Sequence, residues 1–324
     1  MGLEETVVSL KTLGVEYAVL ESGADGVVLV LPEYGRVLGV WPHWRGDNAL
    51  WVNPGFLRLL HIGAKDDGWI NPGGDRMWLA PEEEFFGGGP EVPPAIDPGQ
   101  FARSSEKSGY SMENKGEALA WKTGSRIRFR LTRRVRPMNE ARLADLWGTT
   151  WLRQAGYEEE TTLEISGDCR APVSLWNITQ ARMGAEVRVP LRKRWTETSL
   201  VTLPTRSVEF AENCAVIRLR GPQSAKVEIP GADAGNRILC LEERESGRAQ
   251  LLVKDFSREE GREDARVDCR FGGMADTIEF SCSSPAVGPT GKRRILWKTS
   301  LCAFSGRSDE IQAFAARIGS RGSY

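Results

Sequence analysis

The sequence predicts an all-β protein, a large sandwich of two antiparallel sheets with a short C-terminal helix. Segments with alternating apolar and polar residues recur at spacings of roughly 8–15 residues, which is typical of a sandwich and not of alternating strands and helices. Helical patterns are scarce by comparison. The 324 residues are 40% hydrophobic, enough to bury the core of one large domain, and no linker divides them. We therefore expect a single domain over residues 1–324.

A hairpin is the first strong strand signal. Two apolar runs, residues 26–31 and 35–41, are separated only by Pro32, Glu33 and Tyr34. A short turn-forming connection between two strand-like runs is typical of antiparallel pairing. We predict two paired strands here.

Alternation is strict in residues 125–133, where Ile127, Phe129 and Leu131 would face the core and the intervening arginines would face solvent. Similar strand-like patterns follow throughout the second half of the chain. They lie in residues 161–166, 215–220, 238–241, 250–254 and 266–271.

The clearest helical segment is residues 308–318. Ser308 can cap it, Asp309 and Glu310 suit the first turn, and Gly319 can end it. Residues 139–147 also have apolar side chains mostly on one side, and there a short helix and a strand both stay open.

Residues 86–116 are rich in glycine, proline, serine and charge. We predict a long loop or insertion over this stretch. Such loops often cover a ligand. This stretch is therefore either a lid over a ligand or a mobile insertion, and the sequence does not decide between them.

Composition limits the classes of partner. The net charge is −1, so no overall field attracts nucleic acid or an anionic membrane, and we expect neither partner. There is no apolar run long enough to span a membrane and no signal-peptide pattern at the start. The six cysteines are scattered, without a C-x-x-C pair or a nearby histidine, so we expect reduced thiols, no metal site and a cytoplasmic location. We expect no cofactor, and the oligomeric state stays open.

Three strand-like segments carry polar and aromatic side chains together. They are residues 71–82, 174–180 and 277–285. In extended conformation Arg76 shares a face with Trp78, and Trp176 shares one with Gln180, while Glu279 lies on the polar face of the third segment. Indole rings stack on the apolar face of a pyranose, and planar charged or amide groups bond its hydroxyls. The set predicts a sugar-binding cleft.

In this order the segments resemble the galactose mutarotase-like (aldose 1-epimerase) superfamily, and most of all its branch with the pattern GGDR-x-W-x-x-PE, present here as residues 73–82. Residues 34–41, 48–53 and 296–304 extend the resemblance loosely over most of the chain. It implies the galactose mutarotase-like supersandwich, with a concave sheet face that binds a saccharide or sugar derivative.

The resemblance also implies roles for particular residues. Mutarotases use a strand glutamate near the C-terminus as the base that takes the proton of the anomeric hydroxyl, without metal or cofactor, and Glu279 stands at that position. Arg76 stands near their substrate-binding arginine. The implied catalytic residue is thus Glu279. The expected substrate-binding residues are Arg76, Trp78, Trp176, Gln180, Glu82 and His43. An alternative pairs Glu279 with Glu82 or Glu83 across a cleft, as two carboxylates pair in glycoside hydrolases.

One departure from the superfamily concerns the general acid. Mutarotases carry it as a mid-chain histidine, and residues 175–180 contain none. The chain has only His43 and His61, and Tyr110 or Lys122 are other candidates. Two functions therefore stay open: a sugar epimerase or mutarotase with Glu279 as base, and a non-catalytic carbohydrate-binding or structural domain with a vestigial cleft.

Overall fold

The computed structural model describes most of the chain. The described ranges are residues 2–56, 69–86, 92–192, 208–211, 213–218, 226–231, 233–257, 269–274, 276–291 and 293–319. Within these ranges the chain forms two sheets, and every neighbouring pair of strands is antiparallel. The predicted all-β antiparallel sandwich is confirmed.

The described part of the first sheet has eight strands. In spatial order they are β1 (Ala18–Ser22), β2 (Gly26–Leu31), β3 (Arg36–Trp41), β4 (Asp75–Ala80), β9 (Ser174–Arg182), β17 (Thr277–Ser283), β16 (Cys269–Met274) and β13 (Lys226–Ile229).

The described part of the second sheet has ten strands. In spatial order they are β11 (Val208–Ala211), β12 (Cys214–Arg218), β10 (Glu186–Pro190), β14 (Arg237–Arg244), β15 (Arg248–Phe256), β18 (Arg294–Arg307), β8 (Arg153–Gly167), β7 (Ser125–Pro137), β6 (Gly109–Ala120) and β5 (Phe101–Glu106).

The main core lies between the two sheets and is filled by alternate residues of their strands. In β7 the side chains of Ile127, Phe129 and Leu131 are buried, as predicted, while Arg126 and Arg128 are exposed and paired with a glutamate of β6. The predicted hairpin is also present, with β2 and β3 joined by a 3-10 turn at Pro32–Tyr34.

Four α-helices lie wholly within the described residues and pack on the sheets. They are α1 (Leu3–Thr12), α2 (Glu82–Phe85), α3 (Glu140–Trp147) and α4 (Ser308–Gly319). The predicted C-terminal helix is confirmed, and its apolar side packs on the outer face of the ten-stranded sheet against Phe304. Residues 140–147 form a helix, because Asn139 accepts a hydrogen bond from Arg142 N at the N-terminus. The sequence reasoning did not predict α1.

The prediction of a loop over residues 86–116 is wrong from Phe101 onward. β5 and the first half of β6 pair there as a hairpin. Their polar composition has a physical cause, because β5 is an edge strand whose residues Ala102–Ser105 are exposed. Glu113 of β6 points outward to pair with Arg130 of β7. Residues 87–91 lie outside the described part of the chain.

No helix in the described ranges is long and apolar enough to cross a membrane. The cysteines with described side chains are free thiols.

Candidate functional site

Strand pairing brings the three predicted segments together. β9 lies between β4 and β17 in the eight-stranded sheet. Trp78 lies directly opposite Trp176, and Gln180 lies directly opposite Glu279. Because side chains alternate, these residues and Arg76 share the face of the sheet that points away from the second sheet. Five of the seven predicted site residues are therefore neighbours on one face.

Glu279 is held by two of the other predicted residues. Its Oε1 accepts a hydrogen bond from Arg76 Nη2 at 2.8 Å and a second from Gln180 Nε2 at 2.8 Å. Arg76 and Gln180 are buried, whereas 23% of the Glu279 side chain is exposed. No side chain in the described ranges donates a hydrogen bond to Glu279 Oε2. The carboxylate is thus fixed through one oxygen.

A glycine turn aims Arg76 at Glu279. Gly73 and Gly74 have φ values of 96° and 79°, which residues with side chains rarely adopt, and a Cβ on Gly74 would clash with Val37 O. Asn71 Oδ1 accepts hydrogen bonds from Gly73 N at 3.1 Å and from Arg76 Nη1 at 3.4 Å. The turn therefore requires both glycines, and the asparagine ties it to the guanidinium.

A second buried ion pair supports the cluster. Asp97 Oδ2 accepts hydrogen bonds from Trp78 Nε1 at 2.9 Å and from the Arg36 guanidinium. Arg36 Nη1 also donates to Asn71 Oδ1 at 3.3 Å. Burial lowers the pKa of Arg36 to about 10, against the attraction of Asp97, so Arg36 is still charged at neutral pH. Sequence reasoning missed both Arg36 and Asp97.

The predicted stacking rings are covered. Trp78 and Trp176 meet edge to face at 5.8 Å between ring centroids, and each is only 7% exposed. Phe86 lies nearly parallel to Trp78 at 4.7 Å, and the Arg76 guanidinium carbon lies 4.2 Å from the same ring. The two tryptophans therefore form an aromatic floor.

Two partly exposed aromatic side chains lie on this floor. Phe86 contacts both tryptophans, and the Trp69 ring lies 5.8 Å from the Trp78 ring. The Arg76 guanidinium carbon is 6.0 Å from Trp69. Sequence reasoning missed Trp69 and Phe86 because neither lies in a strand-like segment with alternating side chains.

A buried ionic network lies directly behind the cluster, between the sheets. Asp75 accepts hydrogen bonds from Arg133 Nη2 at 2.9 Å, Lys254 Nζ at 2.5 Å, Thr179 Oγ1 at 2.6 Å and Asn177 Nδ2 at 3.0 Å. Burial alone would raise the pKa of Asp75, but Lys254 and Arg133 lower it to about 2. The aspartate of the GGDR segment is thus a charged structural residue and does not pair with Arg76.

Glu159 completes this network. Arg133 donates two hydrogen bonds to its carboxylate, at 2.7 and 2.8 Å, and Thr161 Oγ1 donates another at 2.6 Å. Two cations thus balance two carboxylates. Burial, together with the charges of Asp75 and Glu159, raises the pKa of Tyr157 well above its usual value. Asp75 adjoins Arg76, and Thr179 adjoins Gln180. The network therefore stabilises the two strands that present the cluster from the opposite side of the sheet.

The structure places Glu82 far along the sheet from Glu279. Glu82 begins α2, just beyond Ala80, which pairs with Ser174. Gln180, opposite Glu279, is six residues further along β9, which is about 20 Å at the usual rise of a strand. Paired glycosidase carboxylates lie about 5–10 Å apart. This separation does not support a Glu279–Glu82 pair, and Glu83, one residue further along, forms an ion pair with Lys122.

The candidate acids lie elsewhere. His43 lies in the turn after β3, where its Nδ1 accepts a hydrogen bond from Arg45 N at 3.1 Å and its ring stacks on Trp44. Tyr110 donates to Glu16 Oε1 at 3.2 Å. Lys122 is exposed beside Glu83. None of these three bonds to Glu279, and His61 lies outside the described residues.

An open groove of about 630 Å³ lies on the other sheet. Its charged lining includes Lys115, Glu117, Arg128, Arg130 and Glu164. These side chains pair with one another or with neighbouring charges on the outer face of β6, β7 and β8. We therefore keep the polar and aromatic cluster as the candidate site. The described residues contain no group of three His, Cys, Asp or Glu side chains that could hold a metal ion.

No protein-family model matches the sequence, and no curated protein matches it. Solved structures do. One is the crystal structure of a protein from Escherichia coli K12 that is provisionally assigned as an aldose 1-epimerase. The two sequences are 10% identical, the match covers 90% of this chain and 100% of that one, and the TM-score is 0.52. A galactose 1-epimerase from Lactobacillus acidophilus NCFM is 11% identical, covers 89% of this chain and 93% of that one, and has a TM-score of 0.43.

The chain has the galactose mutarotase-like fold. The Escherichia coli structure carries this conclusion, because it overlaps over its whole length with a TM-score above 0.5. The superfamily resemblance is thereby confirmed at the level of the fold. One fold hosts many activities, so an identity of 10% leaves the function of this mutarotase-like chain to its own residues.

Proposed function

We propose that this protein binds a saccharide on the outer face of the eight-stranded sheet, at the cluster of Glu279, Arg76 and Gln180. The observation that carries the proposal is the fixed carboxylate of Glu279, which has one oxygen bound by Arg76 and Gln180 and the other without a described donor. Beside it, the partly exposed rings of Trp69 and Phe86 pack on the buried Trp78 ring. A polar end next to an apolar surface matches the two-sided chemistry of a pyranose.

The geometry favours binding for a physical reason. Arg76 and Gln180 are buried and already hydrogen-bonded, so a ligand does not have to order them. Preorganised side chains reduce the entropic cost of association. Glu279 Oε2 can accept a hydrogen bond from a sugar hydroxyl, and a hydrogen bond to a charged acceptor is among the stronger ones. Glu82 and His43 take no part in this proposal.

A second candidate function is interconversion of the two anomers of a free sugar. Glu279 would take the proton of the anomeric hydroxyl, the bond from the anomeric carbon to the ring oxygen would break, and that electron pair would be protonated on the ring oxygen. Closure on the other face gives the other anomer. The described contacts of Glu279 include no histidine, tyrosine or lysine, so water would have to supply the acid. This favours binding as the primary function.

Calorimetric titration with neutral monosaccharides, hexose 6-phosphates and short oligosaccharides tests the binding proposal. We expect saturable binding of at least one class, weakened at least tenfold by Glu279→Ala. Glu117→Gln is the matched control, since Glu117 is also a strand glutamate paired with an arginine but lies on the other sheet. No saturable binding to the wild-type protein, or equal binding by Glu279→Ala, would exclude the proposed site.

Anomer exchange of the bound sugar, followed by NMR, tests the second candidate. If Glu279 acts as a base, Glu279→Gln loses exchange and keeps binding. If the wild-type protein binds a sugar without accelerating exchange, the protein is a binder only.

A further inference from the structure

We propose that Trp69 and Phe86 form the surface on which the saccharide stacks, and that Trp78 and Trp176 support them from below. This inference rests on the proposed saccharide binding. It names the residues that give the site its preference for ligands with an apolar sugar face. Neither Trp69 nor Phe86 belongs to the strands that present the polar cluster.

Burial excludes the other two rings as the contact surface. Trp78 and Trp176 are directly opposite each other on neighbouring strands and are 7% exposed. The Trp78 ring is covered by the Phe86 ring and by the guanidinium of Arg76. A stacking ligand needs an accessible ring face, and this structure leaves none on Trp78.

Trp69 and Phe86 have the accessibility that stacking needs. Both are partly exposed, and both contact Trp78, at 5.8 and 4.7 Å between ring centroids. They make no ring contact with each other in the described part of the structure. Two separate aromatic side chains thus rest on one buried ring, which fixes their positions without covering them.

Arg76 connects this aromatic surface to the polar cluster. Its guanidinium carbon is 6.0 Å from the Trp69 ring, and its Nη2 is 2.8 Å from Glu279 Oε1. A pyranose stacked on Trp69 would therefore have hydroxyls near the partly exposed carboxylate of Glu279. Ligands with a continuous apolar C–H face are the class that this surface would take.

The role of Trp78 in this proposal is positioning. Its Nε1 donates to Asp97 at 2.9 Å, and its ring carries Phe86 and Trp69. A phenylalanine at this position keeps an aromatic support but loses the hydrogen bond. We therefore expect Trp78→Phe to change affinity much less than truncation of either upper ring.

The experiment is calorimetric titration of wild-type protein, Trp69→Ala and Phe86→Ala with the saccharide that binds best. Each truncation should weaken binding about tenfold, as expected for loss of one stacking contact. Trp69→Phe should restore most of the affinity. Trp121→Ala is the matched control, because Trp121 is an exposed tryptophan and is not among the described ring contacts of the four aromatic side chains. Urea unfolding midpoints verify that each variant is folded.

The outcomes are distinguishable. If wild-type protein binds and both truncations bind equally well, Trp69 and Phe86 are not the stacking surface and this inference is wrong. Tighter binding by Phe86→Ala would also overturn it, since Phe86 would then occupy the place of the ligand on Trp78. If wild-type protein binds no saccharide, the proposed function fails and this inference fails with it.

Discussion

Substitution of Asp75 by asparagine should destabilise the protein strongly, although Asp75 lies on the opposite side of the sheet from the proposed ligand. The carboxylate is fully buried and accepts hydrogen bonds from Lys254, Arg133, Thr179 and Asn177. Asparagine has nearly the same shape but no charge, and its amide group cannot accept from all four donors. Arg133 would keep the carboxylate of Glu159, but the buried Lys254 would lose the carboxylate with which it pairs.

The magnitude follows from the structure in two ways. The pKa of Asp75 falls from 3.8 to about 2 in the folded protein, and this difference corresponds to about 2 kcal/mol of stability at neutral pH. Removing one partner of a buried ion pair costs about 3–5 kcal/mol, because it also leaves a buried charge uncompensated. We therefore expect Asp75→Asn to lower the free energy of unfolding by about 2–5 kcal/mol.

Urea denaturation at pH 7, followed by circular dichroism, measures this change. The control is Glu117→Gln, which removes an exposed ion pair with Arg126 and should change stability by less than about 1 kcal/mol. A loss for Asp75→Asn no larger than that of the control would refute the reasoning, because it would mean that the buried charges do not depend on one another.

Three further predictions follow from particular contacts. The folded pKa of Asp75 lies below its usual value, so the contribution of its carboxylate to stability is present above about pH 4 and is lost as the pH falls towards 2. The stability of the wild-type protein should therefore fall more steeply across this window than that of Asp75→Asn. Urea titration at each pH measures both. Gly74→Ala should cost at least about 2 kcal/mol of unfolding free energy, since φ is 79° and the new Cβ would meet Val37 O; equal thermal midpoints of the two proteins would contradict this. Phe314→Ala should cost about 3–5 kcal/mol because it leaves a cavity under α4, which chemical denaturation would detect.

The fold and part of the candidate site could be predicted from the sequence because both depend on side-chain alternation. Alternation places Arg76 with Trp78 on one face without knowledge of any partner strand. It cannot give the register between strands that are distant along the chain. That Trp78 lies opposite Trp176, and Glu279 opposite Gln180, follows only from the pairing of β4, β9 and β17.

The unpredicted residues are those whose environment contradicts their local pattern. Asp75 is a charged residue that faces the core, and its partners Arg133 and Lys254 come from the other sheet. Residues 101–116 have the composition of a loop because β5 is an exposed edge strand and the outward-facing side chains of β6 are polar. Phe86 joins the candidate site through its contacts with Trp78 and Trp176, and no local signal marks it.

Saccharide binding at Glu279, Arg76 and Gln180 is the central proposal for this protein. The decisive measurement is a calorimetric titration of wild-type protein beside Glu279→Ala and the control Glu117→Gln, with the same saccharide panel. We expect saturable binding by wild-type protein and the control, and binding at least tenfold weaker by Glu279→Ala. A wild-type protein that binds no member of the panel, or three proteins with the same affinity, would contradict it.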